Sequence, residues 1–232
     1  MKKEMFKYSL LAGAMMFSGL AMANPSATLA VKGQVSTGTC TVVLPTTNID
    51  LGNVSADRLP TTGSLDVVPA GIVFSLQLTC SSPVTYQMSI TDNRADSVIP
   101  ATETVNGASF EGRLLGLGKT KDNVNIGAYG INVQTVSKTI GGTDYQDILY
   151  RAAADTTWTN AATGITITPL NNAAGVSGRD YFAMGAAGSL EPESNTTAEF
   201  KIGSWFYISS ALRSITDVQT IDGNMTFNID YL

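Results

Sequence analysis

The 232-residue chain contains no histidine, only two cysteines, and charged residues at just 14% of its length. Soluble proteins average about 25% charged residues. Without histidine the commonest general base and the commonest metal ligand are gone. A Ser-His-Asp or Cys-His centre and a His-ligated zinc are therefore excluded. Two cysteines are too few for a four-Cys zinc site or a four-Cys iron–sulfur site. The formal charge of −5 argues against nucleic acid as a partner, because binding there draws on clustered Lys and Arg. These absences point away from an enzyme and from any cofactor, and toward a β-rich exported protein. The phosphate-loop motif is also missing: Gly116-Leu117-Gly118-Lys119-Thr120 lacks the G-x-x-x-x-G-K-[ST] spacing. Asp144, Asp147 and Asp155 do not follow a calcium-loop pattern and read as a solvated acidic loop.

The N-terminus reads as a targeting signal. Lys2, Lys3 and Lys7 precede an apolar stretch from Tyr8 to Leu20, and Ala21-Met22-Ala23 is a small-x-small cleavage site. The stretch is short for a membrane span of about 20 residues. Cleavage after residue 23 removes three Lys and one Glu, which takes the charge from −5 to −7. Such a leader fits bacterial export into an oxidising periplasm. There Cys40 and Cys80 are expected to form one disulfide. The alternative, a reactive thiol pair, lacks the usual Cys-x-x-Cys spacing.

Period-two alternation recurs along the chain, as half-buried strands require. Ile72, Phe74, Leu76, Leu78 and Cys80 share one face, and Val84, Tyr86, Met88 and Ile90 share the next. Tyr129, Ile131 and Val133 alternate after a Gly-rich turn; Ile165–Thr168 is a short β-branched run before Pro169. Ala198, Phe200 and Ile202 lead into Trp205–Ile208. Ile148–Ala154 is expected to form one or two helical turns. Short strands separated by Gly, Asn, Asp and Pro predict an all-β sandwich in one domain over residues 37–232. Its middle, about residues 92–190, is expected to be irregular loops with short extra strands.

Both ends of residues 24–232 carry strand patterns. Ala27, Leu29, Val31, Gly33 and Val35 alternate with Thr28, Ala30, Lys32 and Gln34, and Met225, Phe227, Ile229 and Tyr231 alternate with Thr226, Asn228 and Asp230. An amphipathic strand reaching the last residue implies an end docked in a sheet rather than frayed. Alternation alone is equally compatible with a sandwich that closes itself and with strand exchange between molecules.

Taken together, these segments resemble a chaperone–usher fimbrial subunit, most like the longer β-fimbria major-subunit branch. The resemblance rests on Val31-Lys32-Gly33-Gln34-Val35 followed by Cys40, on Ile49-Asp50-Leu51-Gly52-Asn53-Val54, on Phe74–Cys80, and on Gly223–Tyr231 with its upstream Gly and penultimate Tyr. It covers about the first 90 and last 35 residues; the middle does not match. It implies an incomplete immunoglobulin-like sandwich that lacks its last strand and is completed by a donor strand from another molecule, a case of β-augmentation.

Residues 24–36 would then be the donor extension, with Leu29, Val31 and Gly33 entering successive groove pockets and Pro25 the outermost. Ala27 departs from the family, which often has Gly there. Gly223, Met225, Phe227, Ile229 and Tyr231 would form the groove-lining strand, and Leu232 would meet the chaperone. The implied partners are a periplasmic pilus chaperone, an outer-membrane usher and neighbouring copies of the chain, with assembly at the cell surface. The resemblance implies a structural, non-enzymatic shaft subunit. The competing readings are a minor or tip subunit and a secreted, self-closed carbohydrate-binding module, in which Trp158, Trp205 and Tyr207 would stack on sugars. No receptor is identified by the sequence.

Overall fold

A computed structural model describes residues 38–99, 104–105, 108–110, 112–172 and 174–232. The chain runs through β1 (Cys40–Val43), β2 (Ser64–Asp66), β3 (Ile72–Val84), β4 (Tyr86–Asp92), β5 (Thr104–Val105), β6 (Ala108–Ser109), β7 (Leu115–Gly116) and β8 (Gly127–Ser137). It continues through β9 (Tyr145–Arg151), β10 (Thr159–Ala161), β11 (Ile165–Thr166), β12 (Tyr181–Gly185), β13 (Asn195–Ser209) and β14 (Met225–Tyr231). Helical structure among the described residues is confined to three short 3₁₀ segments, Ala56–Arg58, Ala95–Ser97 and Ser210–Ser214. No helix among the described residues is long and apolar enough to cross a membrane.

The main strands pair in the order β1-β3-β13-β8-β9-β12-β4-β14, and every pairing is antiparallel. β8 and β9 touch only at their hairpin end, through Val136↔Gln146 and Ser137↔Tyr145. There the sheet curls over, so that β1-β3-β13-β8 faces β9-β12-β4-β14 across one core: an all-β, sandwich-like fold. Phe74, Leu76 and Leu78 of β3, Phe200 and Ile202 of β13, and Tyr129, Ile131 and Val133 of β8 supply one side of the core. Met88 and Ile90 of β4, Phe182 and Met184 of β12, and Ile148 of β9 supply the other. Fully burying each such side chain contributes about 1.5–3 kcal/mol. A register shift between Lys201 and Ile202 of β13 opposite β8 is a bulge. It lets Val133 and Val136, three apart, both face the core.

The expected disulfide is present. Cys40 and Cys80 are bridged at a sequence separation of 40 and lie directly opposite one another in the β1–β3 ladder. Closing that loop contributes about 4 kcal/mol in the chain-entropy account.

Two expectations from the sequence are corrected. Ile148–Ala154 is not helical: its first part belongs to β9, followed by a turn closed by the Asp155 amide on the Ala152 carbonyl at 3.2 Å. The middle of the chain is not merely irregular, because it supplies β8, β9 and β12, three strands internal to the sheet order. Strands covered on both faces read as nearly continuous small and apolar runs, so their alternation is weak. In β12, Phe182, Ala183 and Met184 are all buried. At Gly130 of β8 a Cβ would lie 2.2 Å from the ring of Phe110. Phe110, Ile99 and Leu114 form a second small core with Ala128, Trp205 and Tyr207, which lie on the opposite face of β8 and β13 from the main core.

Candidate strand-acceptor edge

β14 pairs with β4 and stands at the end of the strand order. Its other edge carries no strand among the described residues. The register places Phe227 opposite Ile90, Ile229 opposite Met88 and Tyr231 opposite Tyr86. The β4 members of these pairs are buried to 0%, 0% and 2% exposure. Phe227 and Ile229, packed against the same core, are only half-buried, and Tyr231 is 50% exposed. An apolar row that faces a core but has a neighbouring strand on one side only is left half-covered, as at a sheet edge.

The start of β14 is held firmly. The amide of Asp222 donates to the Leu117 carbonyl and the amide of Asn93 to the Asn224 carbonyl. Arg94 Nε donates to Asp222 Oδ2 at 2.9 Å within an ion pair. Gly223 fits here because a Cβ would lie 2.8 Å from Leu117 and 3.2 Å from Tyr129, which gives the upstream glycine a packing reason. Behind this junction the buried carboxylate of Asp92 accepts from the amides of Gly116 and Arg94, both at 2.8 Å. Burial pushes its pKa up against the pull of those amides. At the far end, the Leu232 amide donates to the Thr85 carbonyl at 3.0 Å and prolongs the β4–β14 ladder.

The facing lip is β1 with the chain that follows it. Leu44, Ile49, Leu51 and Val54 are partly buried against the core. Ile49, Leu51 and Val54 form one wall of a cavity of about 520 Å³, whose other wall is Ile215, Val218 and Ile221 on the approach to β14. Leu59, Ile126, Ile208 and Leu212 also line it. Val218 is 98% exposed. The depression lies beside the segment that leads into β14, with no residue of β14 in its lining, and it is of mixed character: Asp50, Asn53, Ser55, Thr216, Asp217 and Gln219 line it along with the apolar side chains.

The sequence-derived residues divide as follows. Cys40 and Cys80 meet in the disulfide. Gly223, Met225, Phe227, Ile229, Tyr231 and Leu232 lie together along the open edge. Pro25, Ala27, Leu29, Val31 and Gly33 lie outside the described residues. Ile49–Val54, which enters the sequence analysis only through a resemblance, proves to be a cavity wall. Ile215, Val218 and Ile221 are missed by sequence reasoning because their spacing of three matches neither strand alternation nor a sustained helix. The Asp92-Asn93-Arg94 anchor is missed too; its signal is a cluster of turn-forming residues at the end of an apolar strand.

The aromatic residues offered for sugar stacking fare differently. Trp205 and Tyr207 are buried at 5% and 2% exposure, with Phe110 at ring-centroid distances of 5.7 and 6.5 Å. Trp158 is half-buried, and the Arg151 guanidinium lies 5.2 Å from its ring centroid and 4.5 Å from that of Tyr181. Among the described residues no group of three or more His, Cys, Asp or Glu is placed to hold a metal ion. Asp147 instead accepts from Asn160 Nδ2 and the Gly188 amide.

Residues 29–130 match the profile of a family described as "Protein of unknown function (DUF1120)". The chain is also similar to the "Uncharacterized protein YhcF" of Escherichia coli (strain K12), with 29% identity over 159 residues. That alignment covers 58% of this chain and 66% of the relative, so the chain spans just under two thirds of the curated protein it matches. Neither description carries an activity, a ligand or a partner. The family match over residues 29–130 includes both cysteines and the Ile49–Val54 segment.

Proposed function

We propose that the protein is a structural subunit of a surface fimbria assembled by the chaperone–usher route through donor-strand exchange. In this reading the open edge of β14 and its adjoining cavity are the acceptor site. Residues 24–36 of a neighbouring copy are the donor. The observation that carries the reading is the contrast between buried Met88 and Ile90 and half-buried Ile229 and Phe227 on the adjacent strand. A strand added to β14 would cover that row, satisfy the free main-chain groups of its edge and set register by alternate side chains. Head-to-tail addition does not close on itself and so propagates as a fibre. A signal segment at residues 1–23 would export the chain through the periplasm. A periplasmic chaperone would fill the groove until the outer-membrane usher exchanges it, and a shaft position suits a chain with both donor and acceptor.

Expression in the periplasm with and without a co-expressed periplasmic pilus chaperone from the same organism tests this. The expected result is loss by aggregation or degradation when the protein is made alone, and a soluble one-to-one complex with the chaperone. A stable soluble monomer made alone would replace this reading with the self-closed sandwich. That second reading draws on one observation, the hydrogen bond from the Cys40 amide to the Tyr231 hydroxyl across the two sheet edges.

A further inference from the structure

The two ends of the strand order, β1 and β14, are bridged by that side chain. The Cys40 amide donates to the Tyr231 hydroxyl at 2.7 Å. The amide is free to do so because of its place in the β1–β3 ladder. The Ser81 amide donates to the Thr39 carbonyl at 3.0 Å, and alternation in an antiparallel pair turns the next amide, that of Cys40, to the outer edge. Cys40 is held by its disulfide to Cys80, so one end of the tie is rigid. At the other end the backbone of Tyr231 is held in the ladder with Tyr86 and by the Leu232 amide on the Thr85 carbonyl, but its side chain is 50% exposed and has room to change rotamer.

We infer that the Tyr231 hydroxyl is a latch on the strand-acceptor groove, closing its mouth against the Cys40 amide while the groove is empty and swinging out when a strand enters. The inference rests on the acceptor reading proposed above. A strand lying between β14 and β1 needs the space that the tyrosine spans and offers its own carbonyls to the outward amides of β1. The Cys40 amide cannot serve the tyrosine and the incoming strand together. Releasing the latch is therefore a step in filling the groove. The bond protects the free edges of the empty subunit at the expense of the rate of strand entry.

The test uses residues 24–232, diluted from denaturant into an excess of a fluorescently labelled peptide with the sequence of residues 24–36, and follows association by anisotropy. Tyr231→Phe keeps the ring and removes the hydroxyl, and it should bind the peptide faster by roughly 2- to 10-fold, the factor equivalent to one net hydrogen bond. Equal association rates for the two proteins would overturn the latch while leaving the acceptor site standing. Failure of the peptide to bind either protein would overturn the acceptor reading itself. A second measurement needs no substitution. Hydrogen exchange of freshly diluted wild-type protein should show the Cys40 amide protected, and an unprotected amide would overturn the latch directly.

Discussion

β4 and β14 are neighbours in one sheet, of equal length, with matched apolar residues facing one core, yet they occupy different environments. Tyr86, Met88 and Ile90 are sealed, whereas Phe227, Ile229 and Tyr231 opposite them are not. Nothing in their composition separates them: both alternate cleanly and both are rich in aromatic and branched residues. The difference lies in their neighbours. β4 has β12 and the 168–172 segment on one side, where Phe182 pairs with Met88 and the Leu170 amide reaches the Ile90 carbonyl, and β14 on the other. β14 has only β4. Burial within a sheet is therefore decided by the strand next door as much as by the residue, and β14 has the sequence of an interior strand at an edge position.

The sharpest way to break this comparison is to charge each partner of the proposed exchange. Phe227→Asp puts a carboxylate against the subunit's own core, where burial without a partner costs several kcal/mol. That variant should vanish from the periplasm even with chaperone present, as immunoblotting would report. Val31→Asp, on the proposed donor segment, should accumulate as a chaperone complex and fail to form fibres seen by electron microscopy. If Val31→Asp abolishes chaperone capture as completely, residues 24–36 belong to the subunit's own fold and β14 is not an acceptor edge.

The opposite lip is probed through the disulfide. Replacing both Cys40 and Cys80 with Ser should cost about 4 kcal/mol, read as a lower denaturant midpoint. Mass spectrometry of the non-reduced wild-type protein should find the pair linked.

A smaller effect isolates a region remote from β14 in the strand order. Glu199 of β13 is 3% exposed in its side chain. Desolvation pushes its pKa up, but the Gly141 amide, Ser75, Lys201 and Gln77 together outweigh this and bring it down to about 2, from an ordinary 4.5. A carboxylate whose folded pKa lies below its unfolded value stabilises fully above about pH 4.5 and loses that contribution as pH falls toward 2. The loss should amount to about 3 kcal/mol. Glu199→Gln should flatten the acid limb of the stability–pH curve. Filling the groove should leave that limb unchanged, because Glu199 lies on a strand with neighbours on both sides.

The smallest effect is the comparison itself. Met88→Ala should cost about 2–5 kcal/mol, whereas Ile229→Ala in the empty subunit should cost about 1–2 kcal/mol less, in proportion to its partial burial. Adding the residue 24–36 peptide should narrow the gap by raising the cost at Ile229. Equal costs in the empty protein would mean that β14 is already covered.

Much of the strand set is legible in the residue pattern. Phe74–Cys80 and Met225–Tyr231 alternate because each has one face on the core and one away from it, and Tyr86–Ile90 alternates because its second face, though buried, carries the polar Gln87 and Ser89. β8 and β12 are harder to read for the opposite reason. Gly130 sits under Phe110 and Ala183 is buried away from the main core, so both faces are covered and the alternation fades. β9 holds an apolar run of only three residues, Ile148–Tyr150, too short for periodicity to decide between strand and helix.

For the candidate site, the residues of one wall are readable and their assembly is not. Composition and alternation alone dictate an all-β chain poor in charge, without histidine chemistry, with one possible disulfide and an amphipathic strand at its end. Long-range packing is what puts this strand at an edge, and what makes Ile49–Val54 and Ile215–Ile221 the walls of one cavity beside it. The same packing brings Tyr231 to Cys40, 191 positions away. The physical reason is that alternation is a local record of which face is apolar. The presence or absence of the next strand is set by long-range pairing, which leaves no mark on the strand that lacks it.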